Sequence, residues 1–122
     1  VGLHDKCTNE EYMDALTKTL TVALDEVRPD FVLYDAGVDV YKGDKLGRLH
    51  VSHEGIRQRD RWVLDTCVSR GIPIAAVVGG GYDKDVDALA RRHALVHEEC
   101  GYVWRKYQMW KKCNNNNTTT NQ

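Results

Sequence analysis

The sequence lacks most of what commits a chain to a specialised class. It has no surplus of either charge: 17 Lys and Arg stand against 18 Asp and Glu, a formal net charge of −1. A near-neutral chain has no broad electrostatic pull on nucleic acid or anionic membranes, so neither is expected as a direct partner. No apolar run is long enough to span a bilayer, and there is no signal-peptide pattern. The 4 cysteines, Cys7, Cys67, Cys100 and Cys113, lie far apart with no C-x-x-C pair. That argues against a zinc finger or a disulfide framework and fits a reducing compartment. An intracellular protein is expected, with nucleus and cytoplasm both open. Only 2 prolines occur. Pro29 closes a helix, and Pro73 introduces a strand.

What is present is ordinary globular material: 42% hydrophobic and 29% charged residues over 122 positions, enough for one small domain. Thr8 and Glu11 have capping-box spacing. Met13, Leu16, Leu20, Leu24 and Val27 then recur at helical spacing, so a helix with one buried face is expected. Phe31 to Tyr34 reads as a short buried strand. Val40 to Val51 reads as a structured loop around the Gly43–Gly47 turn. Ser52 is a candidate N-cap for a second helix, whose apolar face is Ile56, Val63, Leu64 and Cys67. Asp60 interrupts that face, and Arg57, Arg59 and Arg61 read as a solvated one. Gly71 ends this helix. Ile74 to Val78 reads as a second buried strand.

A last helix is expected from about Lys84 to Cys100, with Val86, Leu89, Ala90, His93, Val96 and His97 on one face and Gly101 at its end. Tyr102 to Cys113 reads as a separate segment, better explained by packing than by partner contact. Residues 114–122 form an Asn/Thr tail expected to be disordered. Helices alternating with strands imply an α/β fold with a parallel sheet. Two strands make a poor sheet alone. Residues 1–113 therefore read as the C-terminal portion of a larger α/β domain. The first residue is valine, which fits a processed chain or a fragment.

The chemistry gathers where the strands end. Gly79-Gly80-Gly81 is costly in backbone entropy and makes sense where backbone must approach something closely or take positive φ. In α/β sheets ligands bind at the carboxyl ends of strands. The glycines thus form a wall with Tyr82 at its edge, or a plain turn. Asp35 and Asp39 flank Gly37 after the first strand, as a metal or acid/base pair or as turn caps. A carboxylate and a tyrosine hydroxyl on one rim fit metal-assisted hydrolysis of a carbonyl compound, but a catalytic zinc needs about three protein ligands. His50 and His53 are weak extra ligands. His93 and His97 lack the glutamate of H-E-x-x-H and read as packed histidines. The glycine run is neither a dinucleotide fingerprint nor a Walker loop.

Three stretches in order, Arg28 to Asp39, Gly43 to Gly47 and Gly79 to Tyr82, resemble the C-terminal third of the histone deacetylase family, closest to its class IV type and bacterial relatives. The resemblance runs roughly from Gly2 to Cys100. It implies an arginase/deacetylase-like parallel-sheet fold with flanking helices. It implies zinc as cofactor, with Asp39 as one ligand. It implies Tyr82 as the group that stabilises the transition state, and Gly79, Gly80 and Gly81 lining the slot for an acylated lysine. The implied partners are acyl-lysine proteins such as histone tails; the oligomeric state is left open. The family's D-x-H motif and paired histidines have no match in this chain. The chain alone is therefore expected to be inactive. The alternatives are an interaction module pairing its open sheet edge with a partner and, more weakly, a phosphate-binding module.

Overall fold

Local chemistry sets each helix start. Thr8 caps α1 (Asn9–Val27): its side chain accepts from the Glu11 N–H, and Glu11 Oε2 accepts from the Thr8 N–H at 2.9 Å. This is the reciprocal box read from the sequence. Ser52 caps α2 (His53–Ser69), and Asp85 caps α3 (Val86–Lys106). The first two caps are joined, because Asn9 Nδ2 donates to Ser52 Oγ and the Ser52 N–H donates to Asn9 Oδ1, each at 2.8 Å. The structure is a computed structural model that describes residues 2–109 and 111. The Asn/Thr tail, Cys113 and the expected domain end lie outside the described residues.

Strand β1 (Val32–Asp35) lies between α1 and α2, and β2 (Ile74–Val77) between α2 and α3. They pair in parallel, from Val32 opposite Ile74 to Asp35 opposite Val77. The pairing is the one that alternating helices and strands imply. The expected burial is not found. Leu33 is 68% exposed, and Phe31, Val77 and Val78 are exposed as well. A strand has two faces, and the helices described here cover only one. Tyr34 points inward and its hydroxyl donates to Asp60 of α2 at 2.5 Å, while Leu33 faces out. α1 is similarly half-covered: Leu24 is its one buried residue, and Val27 is exposed. No helix among the described residues is long and apolar enough to cross a membrane.

The core is centred on the loop between β1 and α2. Val38, Val51, Ile56 and Leu95 form its buried cluster, with Tyr12, Tyr41 and Leu89 packed around it. The loop is structured as expected: the Val51 N–H donates to Val40 O at 3.2 Å and the Lys42 N–H to Val51 O at 2.9 Å.

α2 and α3 pack along their length, and here charge is inside. Arg59 and Asp60 are buried and paired at 2.9 Å. Buried Glu99 accepts from Arg57 Nη1 at 2.7 Å and from Arg61 Nε at 2.6 Å. Arg59 is therefore not part of a solvated face, whereas Arg57 is half-buried and Arg61 exposed at the rim of the helix pair, and Asp60 is no break in the buried face. Charge is admitted to an interior where an opposite charge meets it. The same reason corrects α3. Its buried face is Arg92, Leu95, Val96, Glu99 and Val103, whereas Val86, Ala90 and His97 are exposed. α3 also continues through Gly101 to Lys106. A mid-helix glycine costs only about 1 kcal/mol, and Val103 is buried just beyond it.

Candidate active site

The loops after β1 and β2 run side by side. The Ala36 N–H donates to Val77 O at 2.9 Å and the Val38 N–H to Gly79 O at 3.2 Å, extending the parallel ladder past both strands. This contact accounts for the glycine triplet. A Cβ on Gly79 would lie 2.2 Å from Asp35 Oδ1, one on Gly80 2.8 Å from Asp39 Cγ, and one on Gly81 2.6 Å from Val38 Cγ2. Gly80 and Gly81 also have φ of +53° and +100°. What the glycines approach closely is the facing loop of the same chain.

Asp39 and Asp35 are exposed, and among the described residues no hydrogen bond engages either carboxylate, so neither caps a turn. Asp39 borders a cleft of about 220 Å³ with Asp35, Gly37, Gly80, Arg59 and Tyr12. Its loop is held from two sides. Arg59 Nη1 donates to Gly37 O at 2.6 Å and Nη2 to Ala36 O at 3.2 Å. Gly47 passes so close that a Cβ there would lie 1.8 Å from the Asp39 carbonyl oxygen. The structure thus brings together Asp35, Asp39, Gly79 and Gly80.

Tyr82 is exposed, and its hydroxyl has no hydrogen bond among the described residues. Its backbone is fixed instead. The Tyr82 N–H donates to Asp44 Oδ2 at 2.6 Å, while Asp44 Oδ1 accepts from the Leu46 and Gly47 N–H groups, each at 2.8 Å. Asp44 therefore joins the Gly43–Gly47 turn to the glycine loop. The sequence reading missed this residue. Its one signal is an aspartate between two turn glycines, a residue that characteristically bonds nearby backbone N–H groups. Burial raises the Asp44 carboxyl, but the three backbone donors outweigh it and hold the group below the usual aspartate range. A depressed value means the stabilisation is complete above the unfolded value of about 4 and is lost as pH falls through the lower native one. An NMR pH titration should show the Tyr82 and Gly47 amides shifting with Asp44 below that value. Titration of Asp44 at its unperturbed value would refute the clamp.

The next link is Arg92, which pairs with Asp83 and lies 4.4 Å over the Tyr41 ring. His53 meets the same ring edge-on at 4.9 Å. His50 and His97 are exposed, and burial lowers the His93 imidazole. None of the four histidines borders the Asp39 cleft. Among the described residues no group of three potential metal ligands includes Asp39. Among the described residues the cleft thus offers two free carboxylates, Asp35 and Asp39, and no histidine, where a catalytic zinc needs about three protein ligands.

The histone deacetylase domain family matches residues 1–99. The chain belongs to that family. It is 43% identical over 104 residues to an uncharacterized protein of Picosynechococcus sp., covering 85% of this chain and 35% of that protein. It is 39% identical over 77 residues to histone deacetylase 2 of Arabidopsis thaliana, covering 63% of this chain and 20% of the relative. It is 34% identical over 83 residues to a probable deacetylase of Methanothermobacter thermautotrophicus, covering 68% and 23%. The chain thus spans about a third or less of the length of these relatives. The family carries the arginase/deacetylase fold, and the parallel strand pair with its helices is part of it.

Proposed function

We propose that this chain is the portion of a zinc-dependent lysine deacylase that carries Asp39 and Tyr82. The reaction is hydrolysis of the acyl amide of an N-acyl-lysine, in a protein substrate such as a histone tail. The observation that carries the reading is the Asp39 carboxylate: free of hydrogen bonds among the described residues, at the carboxyl end of β1, and against Gly80 of the loop that leads into Tyr82. Zinc, when bound, polarises an acyl carbonyl and lowers the pKa of water. Asp39 is one of its ligands. The others, and the histidines that move protons, correspond to family motifs without a match here, so this chain alone is inactive. The Tyr82 hydroxyl, engaged by nothing else among the described residues, donates to the oxyanion. Gly79, Gly80 and Gly81 line the slot for the acyl-lysine chain in this reading, with their Cβ sides packed on the facing loop and Gly80 at the Asp39 cleft, and Asp44 sets where the tyrosine begins.

The test is kinetic, in the intact deacylase containing this chain. Tyr82→Phe should lower kcat on an acetyl-lysine peptide by about 10²–10³-fold, the cost of removing one oxyanion donor. KM should change little. Asp39→Asn should lower bound zinc and activity together. A Tyr82→Phe enzyme as fast as the wild type would sink the assignment.

The exposed Leu33, Phe31 and Val78 favour a second reading, in which the chain acts as a non-catalytic interaction module through its open sheet. The size of the native polypeptide in its own cells separates the two. A product much larger than 13.9 kDa supports the enzyme; one of that size supports the module.

A further inference from the structure

We propose that the turn before α1 is a structural metal site for a divalent ion of the zinc type, held by His4 Nε2, the Cys7 thiolate and Glu11 Oε1, with a fourth position open to water. One ligand atom from each of the three residues lies within 4.8 Å of the other two. None of the three residues borders the Asp39 cleft.

The turn is built to bring them together. The Cys7 N–H donates to His4 O at 3.2 Å, and Lys6 takes φ of +63°, a left-handed conformation unusual outside glycine. Strain of that kind persists where the surroundings impose it, ligand clamps included. Here the Lys6 N–H donates to Arg48 O at 2.7 Å and the His50 N–H to Cys7 O at 2.9 Å, so the turn is pinned to the loop that also carries Asp44.

The His4 and Glu11 side chains are oriented as ligands would be, and the Cys7 thiol, which now donates to the Thr8 carbonyl at 3.7 Å, would turn to the ion. His4 Nδ1 lies 2.9 Å from the Asp5 carbonyl oxygen, which can only accept. A hydrogen on Nδ1 leaves Nε2 as a lone pair, the usual outer-shell arrangement of a metal-bound histidine. That lone pair faces Glu11 Oε1 at 3.2 Å. Two acceptors face each other comfortably only with a cation between them, either a second imidazole proton or a metal. Glu11 divides its labour: Oε2 takes the Thr8 N–H and hydroxyl, each at 2.9 Å, which leaves Oε1 for the ion. Cys7 is fully buried. It adds the soft donor that separates zinc from calcium and magnesium, which prefer oxygen alone. As a ligand the thiol gives up its proton.

The experiment is a cobalt titration of the purified protein. Cobalt bound to a thiolate gives a near-ultraviolet charge-transfer band that carboxylate and imidazole ligands do not. The wild type should show the band and lose it on adding zinc. Cys7→Ser should abolish it. His4→Ala, at an exposed position that leaves the fold intact by circular dichroism, should weaken cobalt binding at least 10-fold. Asp39→Asn should leave the band unchanged, which keeps this site apart from the deacylase centre. No thiolate band in the wild type would overturn the proposal. So would a band that survives Cys7→Ser, or one that depends on Asp39.

Discussion

Arg59→Ala is expected to destabilise the protein by about 3–5 kcal/mol, the range for removing one partner of a buried ion pair. The residue is 3% exposed, and its side chain spans three acceptors: the Asp60 carboxylate and the carbonyls of Ala36 and Gly37. Truncation leaves the Asp60 charge buried with only the Tyr34 hydroxyl, and strips the donors from the backbone that leads to Asp39. Burial already raises the Asp60 carboxyl, and Arg59 is the strongest influence pulling it back. Arg59→Lys keeps the charge and loses the planar fork, so an intermediate loss is expected. Glu99→Gln is the contrast. Its partners Arg57 and Arg61 have side chains 32% and 45% exposed and can turn to water, so about 1 kcal/mol is expected. Urea unfolding of the three variants is the measurement. If Arg59→Ala falls within 1 kcal/mol of the wild type, this account of the loop fails.

Gly47→Ala should be nearly as severe, on the order of 3 kcal/mol, the upper end of the range for overpacking. The cause is steric alone. Gly47 has no positive φ, yet its new Cβ would stand 1.8 Å from the Asp39 carbonyl oxygen. Backbone on both sides must move, and the moving part carries Asp39. Gly71→Ala is the internal control: φ is +74° and nothing lies within 4 Å, so only left-handed strain remains. That costs about 1 kcal/mol. Thermal melts of the two variants rank them. In the intact enzyme Gly47→Ala should also lower activity beyond its loss of stability, whereas Gly71→Ala should not. Equal melting temperatures would remove the argument that Gly47 positions Asp39.

Much of the fold was legible because it rests on local rules. Thr8, Ser52 and the Gly71 turn are chemistry within a few residues, and the two short apolar runs became the parallel pair. Family membership was legible from three ordered stretches. What escaped depends on partners distant in sequence. Residue spacing reads Arg59 as solvated and Asp60 as an interruption of the apolar face; the fold buries the two as a pair against the loop after β1, and packing α2 on α3 brings Glu99 to Arg57 and Arg61. A strand reads the same whether both faces are covered or one, so Leu33 was misjudged. Gly101 looks like a helix end until the burial of Val103 beyond it is seen. Asp39 and Tyr82 were legible as candidates, but Asp44, which fixes the start of Tyr82, was not. Its three amide partners come from two loops that the sequence holds 38 residues apart at most.

The facing loops after β1 and β2 carry an evolutionary consequence. Each glycine of the triplet is answered by a particular neighbour: Gly79 by Asp35, Gly80 by Asp39, Gly81 by Val38. Neither loop is free to drift alone. A larger residue at 79 must be matched by a smaller one at 35 in the same lineage, because the intermediate with both large has no room. At 80 no such compensation is open while Asp39 is kept as a carboxylate. The two segments should thus vary as one unit, and a graft of either into another scaffold should bring the other with it.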